Sequence, residues 1–229
     1  EEHANVDFSD HPVSGISVTG GGATNNALDG NRDSTYDIVE QGAEITFEFS
    51  DVYYLSHINL VFEKGELGLK YQVYSEDASG NRETVIDMKN ATGTLGDKTV
   101  KAPVQRDVKK IIFKHLGNNG SGPAWAAELR LYEFEAFGVA KTSKDAVTVT
   151  PDAASGLLDG NANYSVAANG AVELTLDKAT DLNMVSIQRA SDETKALKYK
   201  IEYLDFESET ENWKLFSDQT ENEKEKLKR

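Results

Sequence analysis

The chain has 229 residues, 39 acidic against 24 basic side chains, a formal net charge of −15 and no cysteine. An acidic surface argues against nucleic acid and anionic lipid as partners, because their phosphates are bound by lysine and arginine clusters. Without disulfides each domain needs its own hydrophobic core, and no stretch reaches the roughly 18 consecutive apolar residues that a membrane span requires.

In chain order, residues 1–138 show the period-two apolar pattern of half-buried strands. The alternating side chains are Ile45, Phe47 and Phe49; Ile58, Leu60 and Phe62; Tyr71 and Val73; Ile111 and Phe113; and Leu129, Leu131 and Glu133. Clusters of turn-forming residues separate these runs. Many short strands with almost no helical periodicity predict an all-β chain built as a β-sandwich.

A repeat about 130 residues apart divides the chain into two modules. The stretch 28–31, Leu-Asp-Gly-Asn, recurs at 158–161, and the stretches 44–47 and 69–73 recur at 173–176 and 197–201. A period this long corresponds to a whole domain and not to a solenoid repeat. We therefore predict a first module at 1–138, a linker at 139–144 and a second module at 145–229.

The second module repeats strand patterns at 172–176, 184–187 and 197–204, and the chain turns strongly charged from Glu207 onward. Far fewer residues follow the last of these strands than follow its equivalent in the first module. The second module is therefore expected to lack its closing strands. A chain cut from a longer protein and a shortened, degenerate copy both account for this, and the cut is favoured because proteins avoid exposed sheet edges. Trp213 is predicted to lie in the core.

The sharpest motif is the stretch 26–36, Asn-Ala-Leu-Asp-Gly-Asn-Arg-Asp-Ser-Thr-Tyr. Small polar and carboxylate groups around a glycine turn can place several oxygens around one hard cation. The alternative is a plain turn in which Asp29 accepts hydrogen bonds from backbone amides. The residues alone leave both interpretations open.

The chain resembles the discoidin, or coagulation factor 5/8 type C, family, which includes the family 32 carbohydrate-binding modules. The likeness is carried by Asp29-Gly30 followed by Ser34 and Tyr36, a strand at 43–49, Tyr71-Gln72-Val73-Tyr74-Ser75, and a closing Ala127-Glu128-Leu129. It covers residues 15–135 and, more faintly, 145–216. The resemblance implies two tandem jelly-roll β-sandwiches of galactose-binding-like type, the second of them incomplete.

The resemblance also implies a structural Ca²⁺ that joins the opening turn to the closing Ala-Glu. Carried over residue by residue, the ligands are the carbonyls of Asn26, Asn31 and Ala127 and the side-chain oxygens of Asp29, Ser34 and Glu128. About six oxygens are within the range that calcium prefers. The second module has Tyr164 where the first has Ser34, which puts a metal site there in doubt.

Sugar-binding members of the family stack one aromatic ring on a pyranose and read its hydroxyls with polar side chains. Trp125 is the candidate for the ring, and a core position is its alternative. The candidate polar partners are Asn118, Asn119, Lys64 and Glu66, with His57 and Arg32 as further possibilities. The set of residues typical of galactose binders is not reproduced, so galactose specificity is not supported.

The chain shows no catalytic signature, since its four histidines have no metal-ligand spacing. We therefore expect a non-catalytic, glycan-binding module of a larger secreted or cell-surface bacterial protein, with a glycoside hydrolase as the parent enzyme. Its expected partners are a glycan or polysaccharide and adjacent domains of the chain, without nucleic acid or membrane insertion. The alternative is a structural spacer or protein-docking pair of sandwiches with no ligand of its own.

Overall fold

The computed structural model describes residues 7–62, 69–92, 99–117, 129–158, 166–167, 169–180, 182–185, 187, 198–204 and 213–221. The chain folds into two compact units, Glu1–Lys141 and Thr142–Arg229. Among the described residues every pair of neighbouring strands is antiparallel, and the helices are short 3-10 segments. The chain is therefore all-β, as predicted. No helix in the described part of the chain is long and apolar enough to cross a membrane.

The first unit is built around one seven-stranded sheet. Its strands are β1 (Ile16–Gly20), β2 (Asp37–Val39), β3 (Glu44–Phe62), β4 (Lys70–Glu76), β5 (Arg82–Asp87), β6 (Thr99–Gly117) and β7 (Leu129–Ala140). The sheet order is β2-β7-β3-β6-β4-β5, and β1 pairs with the beginning of β3. A 3-10 helix at Asn26–Leu28 lies between β1 and β2.

The long strand β3 bends so that the sheet encloses its own core. The sequence pattern predicts two strands, at 45–49 and 58–62, but they form one strand with register shifts between Glu48 and Tyr53 and between Leu55 and His57. Phe134 pairs with Leu60 near the end of β3, yet its ring stacks on Phe47, with the centroids 3.9 Å apart. A straight strand would separate Phe47 from Leu60 by roughly 40 Å. The two halves of β3 therefore face each other across the core, which makes the unit a β-sandwich.

The predicted apolar positions of the first unit lie in this core. Ile45, Phe47, Ile58, Leu60, Phe62, Val73, Ile111, Phe113, Leu129 and Leu131 are fully buried. The ring of Tyr71 is stacked on Phe113 at 5.3 Å, and burial raises the pKa of its hydroxyl to about 12. Burying each large apolar side chain contributes about 1.5–3 kcal/mol, which allows this unit to hold together without disulfides.

β7 departs from the strict alternation that the sequence predicts. Leu131 pairs with Phe62, whereas Glu133 pairs with Val61, so Tyr132 is an extra residue in the strand, a β-bulge. Because of this bulge Phe134, and not Glu133, shares the core face with Leu131. β7 then continues to Ala140, which pairs with Tyr53. Residues 139 and 140, assigned to the linker from sequence, thus lie in a strand.

The second unit contains two described hairpins. β8 (Val147–Thr150) pairs with β9 (Glu173–Leu176), and β10 (Lys200–Leu204) pairs with β11 (Trp213–Asp218). The strand predicted at 184–187 is not formed by the described residues 182–185 and 187. The prediction of a core position for Trp213 is wrong, since the residue is 51% exposed. Its strand β11 pairs with β10 alone among the described strands, and five of its six residues are exposed.

Candidate functional site

The opening turn of the first unit is held by a buried carboxylate, Asp37. This residue is 1% exposed. Its Oδ1 accepts hydrogen bonds from the backbone N–H of Thr24 at 2.6 Å and from Thr24 Oγ1 at 2.8 Å, and its Oδ2 accepts from the N–H of Ala27 at 3.1 Å. Asp37 begins β2, so these bonds fix the start of the turn to the strand that follows it. Sequence reasoning missed Asp37, since an acidic residue at the start of a strand is ordinarily solvated.

Within the turn, the side chains of Asp29 and Asn31 organise the backbone. Asp29 Oδ1 accepts from the N–H of Asn31 at 2.7 Å, and Oδ2 accepts from the hydroxyl of Thr35. Asn31 Oδ1 accepts from the N–H groups of Asp33 at 3.1 Å and Ser34 at 3.3 Å, and Asn31 Nδ2 donates to Ser34 Oγ. Side-chain acceptors for backbone amides are what the plain-turn interpretation of the sequence predicts. The same hydrogen bonds bring the predicted calcium ligands Asp29, Asn31 and Ser34 into one turn.

The predicted metal ligands are only partly within the described chain. Asn26, Asp29, Asn31 and Ser34 lie in the one turn, with Asn26 joined to its far end by a 2.8 Å bond from Nδ2 to the carbonyl of Tyr36. The carbonyl of Asn26 accepts a long hydrogen bond, 3.3 Å, from the N–H of Asp29. The other two predicted ligands, Ala127 and Glu128, lie outside the described residues. The described residues contain no cluster of three or more histidine, aspartate or glutamate side chains that could hold a metal ion.

Glu133 adds a buried carboxylate that the sequence did not identify as a site residue. It is 4% exposed, and its Oε2 has no hydrogen-bond partner among the described residues. Burial, reinforced by the negative charges of Asp29 and Glu135, raises the pKa of Glu133 to about 7, while a hydrogen bond from the N–H of Gly30 acts in the opposite direction. An orphaned, buried carboxylate oxygen next to this turn, together with the hard oxygen donors of Asp29, Asn31 and Ser34, fits a calcium site.

A second glutamate of β7 is paired with the same turn. The carboxylate of Glu135 accepts from Arg32, with Nε–Oε1 at 3.1 Å and Nη2–Oε2 at 3.3 Å. Its Oε2 also accepts from Asn59 Nδ2 at 2.8 Å. Arg32, considered as a sugar-binding residue, is therefore engaged in an ion pair that anchors the turn to β7.

The strand register brings the opening turn next to β7, the closing strand of the first unit. β2 follows the opening turn directly, and it pairs with β7 so that Asp37 lies opposite Leu131 and Val39 opposite Leu129. Leu129 is the residue that follows the Ala-Glu pair at 127–128 in the sequence. The opening turn and the closing strand are thus neighbours in the sheet, although about 90 residues separate them.

Tyr36, which stands where the family typically has tryptophan, forms a half-buried aromatic contact beside the turn. Its ring centroid lies 5.1 Å from that of Tyr132, and the guanidinium carbon of Arg130 lies 5.2 Å from the Tyr36 centroid. A guanidinium at this distance makes a cation–π contact. The contact joins the end of the turn to the outer side of β7.

The predicted sugar-binding residues Trp125, Asn118, Asn119, Lys64 and Glu66 lie outside the described residues. The further candidate His57 is within them and is 5% exposed. Its Nδ1 lies 2.8 Å from Ser56 Oγ, and its ring stacks on Phe137 at 4.6 Å. A histidine packed in this way is part of the structure and is not presented to a glycan.

A scan against protein-family models finds no match, and a search of the curated proteins finds none either. Among solved structures, the chain is similar to the Clostridium perfringens module CpGH89CBM32-4 in complex with GlcNAc-alpha-1,4-galactose, at 27% identity and a TM-score of 0.49 over 59% of this chain and 96% of that chain. It is also similar to the family 32 carbohydrate-binding module of C. perfringens NanJ in complex with galactose, at 15% identity and a TM-score of 0.41 over 56% of this chain and 98% of that one. A third similar structure is a pectin-binding carbohydrate-binding module, at 17% identity and a TM-score of 0.45, over 57% of this chain and 96% of that one.

Proposed function

We propose that the first unit is a non-catalytic carbohydrate-binding module of a secreted or cell-surface bacterial protein whose catalytic domain is a glycoside hydrolase. The observation that carries the proposal is the pairing of β2 with β7, which sets Val39 opposite Leu129. This register makes the opening turn a neighbour of β7, the closing strand of the first unit, within one sandwich. The solved structures above have TM-scores below 0.5, so the proposal depends on the motif order and this register.

The proposed activity is adhesion. In this proposal Trp125 stacks on the apolar face of a sugar ring, while Asn118, Asn119, Lys64 and Glu66 bind its hydroxyls. Binding of this kind is weak and reversible. Its value lies in raising the local concentration of the polysaccharide near an attached catalytic domain. The acidic net charge of −15 supports a neutral glycan over nucleic acid or an anionic membrane.

A glycan-array screen of the intact chain in calcium tests the proposal, with Trp125→Ala as the decisive variant. Trp213→Ala is the matched control, because Trp213 is an exposed tryptophan of the second unit. We expect binding that is lost in Trp125→Ala and retained in Trp213→Ala. Silence across the array from folded protein would favour the structural spacer, and loss only in Trp213→Ala would move the site to the second unit.

We also propose that the turn 26–36 holds a structural calcium ion. The carbonyls of Asn26, Asn31 and Ala127 and the side-chain oxygens of Asp29, Ser34 and Glu128 would hold it. Bound calcium would supply a positive charge that ties the turn to the end of the sandwich, which is a stabilising role. At a free calcium concentration about 100 times Kd, such binding stabilises the folded state by about 2.7 kcal/mol.

Thermal unfolding with EDTA and with calcium tests this proposal. Calcium should raise the Tm of the first unit, and Asp29→Ala should abolish the increase. Asp159→Ala is the matched control, since it changes the equivalent Asp-Gly of the second module. Equal responses of the two variants, or no response of the unaltered chain to calcium, would contradict the proposal.

A further inference from the structure

The β10–β11 hairpin of the second unit copies the β4–β5 hairpin of the first unit. In the first hairpin Glu76 pairs with Arg82, and at the equivalent place in the second Leu204 pairs with Trp213. The other four cross-strand pairs recur at the same offsets, 128 residues from β4 to β10 and 131 residues from β5 to β11. A register shift within the first hairpin also recurs at the equivalent place in the second.

A hydrogen bond beyond the paired residues supports the equivalence. The N–H of Met88 donates to the carbonyl of Tyr71 at 2.9 Å in the first hairpin, and the N–H of Gln219 donates to the carbonyl of Tyr199 at 2.8 Å in the second. These residues are related by the same two offsets. Equivalent residues of the two hairpins therefore lie on equivalent faces.

The outer face of the first hairpin is polar. Tyr71, Val73 and Ser75 are buried on the inner face of β4. Glu76 follows Ser75 and so lies on the opposite, outer face, where its carboxylate accepts from Arg82 Nε at 2.8 Å. Charged side chains are usual on the solvated face of an antiparallel sheet.

The equivalent outer face of the second hairpin is apolar at the same place. Leu204 and Trp213 stand where the first hairpin has its ion pair, and Leu215 stands where it has a threonine. These three side chains are 44%, 51% and 56% exposed. Cross-strand partners and residues two apart in a strand share a face, so the three form one patch, called here the outer patch. A contiguous exposed apolar patch marks an interaction surface.

A charged pair lies on the same face at the other end of the hairpin. Lys200 pairs with Asp218 across the two strands. Hydrogen bonds from Thr220 and then the charge of Lys200 lower the pKa of Asp218. Between this pair and the outer patch, Glu202 pairs with Leu215.

The outer face of the second hairpin is complementary to a copy of itself. Two hairpins stacked face to face about a two-fold axis parallel to the strands place β10 of each copy over β11 of the other. Leu204 of each copy then lies over Trp213 of the other copy, and the apolar surfaces meet. Lys200 of each copy lies over Asp218 of the other copy, so opposite charges meet at the far end.

We infer that the outer patch binds a second copy of this chain in a two-fold symmetric dimer. This inference goes beyond the glycan and calcium proposals and depends on neither. Stable interfaces bury roughly 800 Å² per partner, which is more than the six paired residues of this face supply. The net charge of −15 on each copy adds repulsion. We therefore expect a weak dimer, with a Kd on the order of 100 μM.

Sedimentation equilibrium of the intact chain, at concentrations below and above this Kd, tests the inference. The main variant combines Leu204→Glu with Trp213→Arg and so installs the ion pair that the first hairpin has at the same place. Leu157→Gln is the matched control, because it removes another exposed leucine of the second unit. We expect the Kd of the dimer to rise about tenfold or more in the double variant and to change less than about twofold in the control.

Two charge variants test the proposed geometry. Lys200→Glu gives a copy with two acidic residues at the charged end of the face, and Asp218→Lys gives a copy with two basic residues there. Each variant alone should associate more weakly than the unaltered chain, because like charges then lie over each other. An equimolar mixture of the two should associate at least as strongly as the unaltered chain, since opposite charges meet again.

The outcomes separate the parts of the inference. An unaltered chain that stays monomeric at every concentration overturns it and leaves the outer patch to a partner of different sequence. A dimer that persists in the double variant overturns the assignment to the outer patch. A mixture of the charge variants that stays monomeric overturns the two-fold arrangement, and this result stands even where the double variant fails to fold.

Discussion

The two units contain a matching pair of strands, and one strand of that pair is buried in the first unit and largely exposed in the second. In the first unit Thr19 of β1 pairs with Thr46 of β3, and in the second Thr148 of β8 pairs with Thr175 of β9. Each threonine of the second pair lies 129 residues after its counterpart in the first pair, so the two hairpins have the same strand register. This agreement supports the proposal that the second unit is a related copy.

Burial at equivalent positions is very different. Ile45 in the first unit is fully buried, while Leu174, at the same offset of 129, is 49% exposed. β3 in the first unit also pairs with β6 and β7, whereas within the described part of the second unit β8 and β9 pair only with each other. The comparison teaches that a strand pattern is a local property, and that burial depends on strands which arrive later in the chain.

Ile45→Ala and Leu174→Ala provide the largest expected contrast. Ile45→Ala should lower the free energy of unfolding by about 4 kcal/mol, because it removes buried methylene groups and leaves a cavity. Leu174→Ala should change it by less than about 0.5 kcal/mol, as is usual for an exposed site. Urea unfolding followed by circular dichroism measures both. A comparable loss in Leu174→Ala would show that the face of the second unit is covered in solution.

Asp37→Ala should have the next largest effect. At the offset of 130 that relates Asp29 to Asp159, the second unit has Ala167 in place of Asp37. The change leaves the N–H of Thr24 and of Ala27 without their acceptor, and we expect a loss of about 3 kcal/mol in urea unfolding. Asp51→Ala is the control, since Asp51 is exposed. Equal, small effects of the two changes would show that Asp37 does not hold the turn.

The contribution of histidines to the pH dependence of stability should come from the first unit, because all four histidines of the chain lie within residues 1–141. His115 is fully buried, and its Nδ1 lies 2.9 Å from the carbonyl of Val39, which makes Nδ1 the donor. Nε2 has no partner among the described residues, so a second proton would be unsatisfied. Burial accordingly lowers the pKa of His115 below 6.5.

A lowered histidine pKa means that the unfolded chain binds protons more readily than the folded chain. This contribution to stability is therefore present above pH 6.5 and is lost as the pH falls through the folded-state pKa. The ordinary pKa of a histidine is about 6.5, so thermal unfolding is measured between about pH 7.5 and about pH 5.5. Over this range the Tm of the unaltered chain should fall more steeply with decreasing pH than the Tm of His115→Gln. Equal slopes of Tm against pH would contradict the assignment of this effect to His115, since His57 and Glu133 are present in both the unaltered chain and His115→Gln.

Arg32→Gln should have the smallest effect. Its ion pair with Glu135 is partly exposed, with side-chain exposures of 44% and 29%, and such pairs contribute at most about 1 kcal/mol. At the offset of 130 the second unit has Ala162, so the variant again makes the first unit resemble the second. Raising the salt concentration should reduce the difference from the unaltered chain. A difference that salt does not change would indicate packing of the side chain and not its charge.

The candidate site was predicted from sequence only where its residues are adjacent in the chain. Asp29, Asn31 and Ser34 come together because local hydrogen bonds within one turn decide their positions. Asp37 and Glu133 were not predicted as site residues, because their position beside the turn depends on contacts with other parts of the fold. The signal available for Glu133 was the run Glu-Phe-Glu at 133–135, in which either the phenylalanine or a glutamate must face inward. The sequence alone does not reveal the bulge that makes this choice.

The amino-acid sequence by itself determined the all-β class, the alternating core positions of the first unit and the existence of a repeat, because each follows from local periodicity and from matching stretches. The tertiary structure decided that residues 45–49 and 58–62 belong to one bent strand and that β2 pairs with β7. It also decided that Glu133 is buried while Leu174 and Trp213 are exposed. These outcomes depend on pairing between strands that are distant in sequence. The periodicity of side chains indicates which residues share a face of a strand, but it does not indicate which strands lie beside it.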